Sequence, residues 1–107
     1  MTFDAYACSL ELLRSLVPLL ARVASCDAEL ADQLRRAAQS CVLNVAEANR
    51  RALRDRRYRF RIVLGSAAEV SAALEVAGAL GYVGAGEVGV ALELADRVRA
   101  MTYRLAR

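Results

Sequence analysis

The run AELADQLRRAAQSCVLNVAEANRRALRDRRYRFRIVL, from Ala28 to Leu64, decides the fold. It contains neither glycine nor proline, and the breaker-free interval reaches from Pro18 to Gly65. An all-β chain of this size needs turn residues about every 8–12 positions. Within the run, Leu30, Leu34, Ala37, Cys41 and Val45 recur at steps of three and four, one apolar face of a helix, with Asn44 at its edge. Propensity alone allows one helix from Ala28 to about Ala77, which is too long for a compact domain. A short connection is therefore expected at Asn49–Arg54. Asn49 is expected to close the second helix in a left-handed conformation, and Asp55 to cap the third.

The rest of the chain extends this pattern. A first helix is expected from Thr2 to Ala24, carrying two apolar seams. One is Tyr6, Leu10, Leu13, Val17 and Leu20, and the other is Leu12, Leu16, Leu19 and Val23. Two seams exceed what one bundle face needs, so this helix is expected also to bury surface against another subunit. Pro18 lies inside it and is expected to bend it, because proline lacks the N–H for one backbone bond. Ser25 or Asp27 is placed to cap the second helix, Ala28–Asn49. The third helix ends near Ala79, with Tyr58, Ile62, Val63, Ala67, Val70 and Leu74 apolar; Gly65 within it is expected to permit a close helix crossing. The segment Gly78–Gly86 holds four glycines and reads as a loop. A fourth helix is expected over Glu87–Leu105 with the seam Ala91, Leu94, Val98, Met101 and Leu105. Glu87 at its start and Arg99, Arg104 and Arg107 near its end suit the helix dipole. The expected architecture is all-α: one domain over residues 1–107, an antiparallel up-down-up-down four-helix bundle that oligomerises.

Composition narrows the function. Hydrophobic residues are 57% of the chain, much of it alanine, yet no apolar run approaches the roughly 20 residues of a membrane span. The N-terminus carries Asp4 and Glu11 and no positive region, so no signal peptide is read there and a cytoplasmic protein without membrane contact is expected. Cys8, Cys26 and Cys41 are odd in number and widely spaced, and there is no histidine. A zinc site of cysteine alone needs four ligands, so no metal is expected. Without histidine, acid–base chemistry would fall to carboxylates or tyrosines, and the carboxylate pairs Glu69/Glu75 and Glu87/Glu93 do not stand one turn apart. No glycine-rich phosphate loop is present either. A non-enzymatic protein without a cofactor is expected.

Four pieces of the sequence carry a family resemblance: QLRRAAQS at Gln33–Ser40, NVAEA at Asn44–Ala48, GSAAEV at Gly65–Val70 and LGYV at Leu80–Val83. In this order and spacing they resemble the four-helix-bundle family named for proteins encoded in intervening sequences of bacterial 23S ribosomal RNA genes. The family usually has glycine where Ala48 stands. The resemblance implies an antiparallel four-helix bundle, assembly into rings that are typically pentamers, and no established enzymatic activity. Related bundles are accessory proteins of diversity-generating retroelements, similar to basic scaffolds that contact a reverse transcriptase and RNA.

The charge is distributed unevenly. All fifteen basic residues are arginine, and seven of them fall between Arg50 and Arg61 with Asp55 the only acid among them. Arg50, Arg54, Arg57 and Arg61 are spaced as one helical stripe about 16 Å long at 1.5 Å per residue. Arg51, Arg56 and Arg59 flank it, and Tyr58 and Phe60 are interleaved, suited to stacking on bases or sugars. Guanidinium groups bind phosphate bidentately, so Arg50, Arg51, Arg54, Arg57, Arg61 and Tyr58 form a candidate nucleic-acid site. The competing explanation is a solvated face, or arginines paired with acids of a neighbouring subunit or a protein partner. A second polar group, Arg35, Arg36, Asn44, Glu47 and Glu69, reads as structural. In that reading Asn44 satisfies backbone groups at a bend, and Arg35 or Arg36 pairs with Glu69 on the third helix.

Overall fold

A computed structural model describes residues 2–107, with side chains from Asp4 onward. It contains four helices: α1 over Thr2–Cys26, α2 over Ala28–Ala48, α3 over Leu53–Ala79 and α4 over Ala85–Ala106. No strand occurs among the described residues. Each helix packs on its chain neighbours, and α1 closes on α4. The molecule measures 42 × 22 × 18 Å, so the long dimension matches helices of 21–27 residues lying along it.

The core is drawn from all four helices. Leu12, Leu16, Leu19 and Val23 of α1 meet Leu34, Ala38, Cys41 and Val45 of α2, Phe60, Val63, Val70 and Leu74 of α3, and Ala91, Leu94 and Val98 of α4. Only one of the two α1 seams is therefore core. The other, Tyr6, Leu10, Leu13, Val17 and Leu20, is half-buried along its length, and Val17 is 63% exposed. Pro18 faces solvent and the helix runs on through it. Proline leaves the carbonyl of Arg14, four residues earlier, without its helical partner, and Arg14 is itself on the exposed side.

Three connections follow from local chemistry, with corrections to the sequence expectations. Asp27 is the cap of α2, accepting the Leu30 N–H at 3.0 Å. Ser25 instead donates to the Arg22 carbonyl within α1. Asn49 closes α2 at φ −64°, in the right-handed region, with its N–H bonded to Val45 O at 3.1 Å. No left-handed residue is needed because Arg50 and Arg51 continue with short bonds to Glu47 and Ala48. Ala52 rather than Asp55 occupies the cap position of α3, and Asp55 lies in the first turn, where its charge suits the helix N-terminus.

The glycine segment is shorter than read, since Gly78 lies inside α3, which ends at Ala79, and Gly86 lies inside α4, which begins at Ala85. Its turn depends on Gly81, whose φ of +78° favours a residue without Cβ. Tyr82 N–H bonds Ala77 O at 2.9 Å and Gly81 N–H bonds Gly78 O at 3.1 Å, a Schellman termination. Glu87 accepts the Gly84 N–H at 2.7 Å and also pairs with Arg22 of α1. Gly65, expected at a close crossing, is exposed, and a Cβ there would meet nothing within 4 Å.

By length and composition, α3 is apolar enough to cross a membrane, with a third of its most apolar window buried. The apolar content has two sources here. One is the core face, and the other is an outer face that turns to Gly65, Ala68, Ala72 and Val76 after Arg61.

Candidate nucleic-acid interface

The start of α3 is amphipathic in an unusual sense, because its outer face is cationic and carries no acid before Glu69 apart from Asp55. Phe60 and Val63 turn into the core, which fixes the rotation of the helix. That rotation puts Arg54, Arg57, Tyr58 and Arg61 on the opposite side, all exposed. The three arginines span about 10 Å along the axis. None of the ion pairs formed among the described residues uses them.

The remaining arginines of the segment have other roles. Arg50 and Arg51 lie in the connection, off the helix, so the continuous stripe is shorter than the sequence spacing implied. Arg51 donates through Nε to Glu47 at 2.9 Å. This bond and the attached charge hold the Glu47 carboxyl below the usual range and push the Arg51 guanidinium up. Arg56 lies over the Phe60 ring, 6.0 Å from its centroid. Arg59 turns towards α2 and donates to Asn44 Oδ1 at 3.1 Å. Arg51, Arg56 and Arg59 thus anchor the segment, and Arg50, Arg54, Arg57 and Arg61 remain outward.

The second polar group is rearranged relative to expectation. Arg35 and Arg36 both pair with Asp32, three and four residues back on their own helix, at 2.6 and 3.1 Å. The Arg35 hydrogen bond, with the neighbouring positive charge, lowers the Asp32 carboxyl. Neither arginine pairs with Glu69, because a carboxylate one turn away on the same helix is reached without ordering a long side chain across a groove. Asn44 meets a backbone carbonyl within the continuous helix α2. It donates to Ser40 O at 2.9 Å and to Ser40 Oγ at 3.1 Å, and Ser66 donates to Ser40 Oγ at 2.7 Å. Arg59, Asn44, Ser40 and Ser66 therefore form one hydrogen-bonded ladder joining α2 to α3. Sequence reading missed it, because the ladder depends on the register between two helices. Glu69 is exposed at the rim of the adjoining groove, lined also by Gln33, Arg36, Ser40 and Ser66. Its charge adds to burial in pushing the Cys41 thiol up to about 12.

The geometry defines an all-α protein of four helices with an outward arginine face on one helix. The family model described as "23S rRNA-intervening sequence protein" matches residues 1–104, and the chain belongs to that family. The structure is similar to the crystal structure of a Bacteroides thetaiotaomicron VPI-5482 protein, described as of unknown function and from the S23 ribosomal protein family. The TM-score is 0.88 at 19% identity, over 96% of this chain and 98% of that one, a likeness of fold. No curated protein matches the sequence.

Proposed function

We propose that this protein is a non-enzymatic, cytoplasmic scaffold that self-associates and binds the backbone of RNA or DNA through Arg50, Arg54, Arg57 and Arg61. The observation carrying this reading is the outer face of α3, where three exposed arginines stand at helical spacing outside every ion pair among the described residues. Guanidinium groups held in register on a helix match the repeat of charges along a polynucleotide. The family description, with its link to ribosomal RNA, supports an RNA association. Nothing in the segment corresponds to a base-reading motif, so binding is expected to follow charge more than sequence.

The bundle topology we propose is antiparallel, up-down-up-down. It is supported by Asn44 meeting Arg59 while Ser40 meets Ser66 across α2 and α3, and by Cys8 facing Leu94 while Arg22 meets Glu87 across α1 and α4. Self-association, with a pentameric ring as the expected form, is supported by the half-exposed seam Tyr6, Leu10, Leu13, Val17 and Leu20. A ring would repeat the arginine face around an axis and make weak sites multivalent.

The test is fluorescence anisotropy of labelled RNA and DNA across a salt series, beside the variant Arg54→Ala, Arg57→Ala, Arg61→Ala. Binding that weakens steeply with salt is expected, and the variant should lose about two units of log–log salt slope on a single strand. Absence of binding by the unaltered protein at low salt would overturn the reading. It would favour the alternative, a protein-interaction scaffold whose arginines meet a partner's acids and whose exposed Leu43 and Val90 add apolar contact.

A further inference from the structure

The arginine face of α3 borders a groove shared with α4. Leu64 of α3 and Asp96, Arg99, Ala100, Tyr103 and Arg104 of α4 line an open cleft of about 490 Å³. Arg57, Arg61 and Leu64 fall at i, i+4 and i+7, so two of the outward arginines continue along the side of α3 that forms one wall. On the opposite wall Tyr103 is 58% exposed. The Arg107 guanidinium lies 5.4 Å from the centroid of its ring, and the ring is part of the cleft lining. Arg99 and Asp96 approach only to 3.7 Å, and both are at least half exposed. Such a pair is worth little and yields readily to a competing anion.

The dipole of α4 accounts for basic residues at its C-terminal end. It accounts neither for a large aromatic ring exposed to solvent nor for the arginines of α3 that share a helix side with Leu64. A base stacks on an open aromatic ring only if it is free of a duplex. We infer that this groove seats a single-stranded stretch of nucleic acid, with phosphates on Arg57, Arg61, Arg99 and Arg104 and one base on the exposed ring of Tyr103. The inference rests on the nucleic-acid reading above and adds to it a strand type and the contribution of α4.

The experiment compares labelled single-stranded RNA and DNA with duplexes of the same sequence, by anisotropy, for four proteins: the unaltered chain, Tyr103→Leu, Tyr103→Phe, and Arg99→Gln with Arg104→Gln. All substituted positions are exposed, so circular dichroism is expected to show unaltered helix. Tyr103→Leu should weaken single-strand binding about five-fold or more, Tyr103→Phe should not, and duplex binding should change little in either. The double arginine variant should lose about 1.4 units of salt slope on a single strand. If the Arg54/Arg57/Arg61 variant abolishes binding while the α4 variants bind like the unaltered protein, the groove is excluded and the α3 face stands alone. If the unaltered protein binds neither strand nor duplex, the groove and the α3 site both fall.

Discussion

The outward direction of the arginine face rests on the inward direction of Phe60, and the pair Phe60→Ala and Tyr58→Ala measures it. Phe60 is 1% exposed and is the largest fully buried side chain of the core, whereas Tyr58, two residues earlier, is 58% exposed. Burying a phenylalanine contributes roughly 1.5–3 kcal/mol. Truncation to alanine also leaves a cavity, which brings the usual cost to about 3–5 kcal/mol. Loss of the Arg56 stacking partner adds at most about 1 kcal/mol at this partly exposed position. At about 2.1 cal/mol/K per residue, this chain of 107 residues has an unfolding entropy near 0.22 kcal/mol/K. Phe60→Ala should therefore lower Tm by about 13–22 °C. Tyr58→Ala should stay within about 0.5 kcal/mol, or about 2 °C. Urea and thermal melts followed by circular dichroism at one fixed protomer concentration provide the comparison, since the proposed self-association would make Tm concentration-dependent. Equal effects at the two positions, or a loss below about 1 kcal/mol for Phe60→Ala, would refute the assigned rotation of α3. The arginines would then not face solvent together.

Other expectations follow from particular contacts. Gly65→Ala should stabilise by about 0.5–1 kcal/mol in urea melts, since the added methyl meets open space on an exposed helix face. Gly81→Ala should destabilise by about 1 kcal/mol or more, because alanine is strained at φ +78°. Asp27→Ala removes the α2 cap and an acceptor 3.3 Å from the Tyr82 hydroxyl, and should cost about 1 kcal/mol. Of the three thiols, only exposed Cys26 should react quickly with a disulfide reagent at neutral pH; Cys8 and Cys41 should react on unfolding. The folded Cys41 thiol is raised to about 12 from 9.0. The stability it contributes is thus complete below about pH 9 and is lost as pH rises towards 12, so a Cys41→Ala variant should show a flatter alkaline decline in urea melts.

Helix positions were legible in the sequence because their causes are local. The spacing of Leu30, Leu34, Cys41 and Val45, the capping candidates Ser25 and Asp27, of which Asp27 caps, and the glycines after Ala79 all act within one or two turns. The charge asymmetry of Arg50–Arg61 and the family motifs were equally plain, because both are properties of residue order. Boundaries without a local marker fared less well. Asn49 and Asp55 were assigned the roles their types favour, and the chain turned with ordinary right-handed residues and an uncapped Ala52.

What the sequence left open concerns relations between helices. Two apolar seams on α1 are equivalent by periodicity, and packing against the other three helices selected Leu12, Leu16, Leu19 and Val23 for the core. The ladder of Arg59, Asn44, Ser40 and Ser66 depends on how far α2 slides along α3, which no pattern within one helix specifies. The same holds for Arg99 and Arg104, read from the sequence as charges at a helix end and found in a groove facing α3. Periodicity along a chain sets which residues share a face, because side chains three and four apart are covalently held in line. Which face meets which is settled by shape and burial between segments distant in sequence, and that appears only when the four helices are packed together.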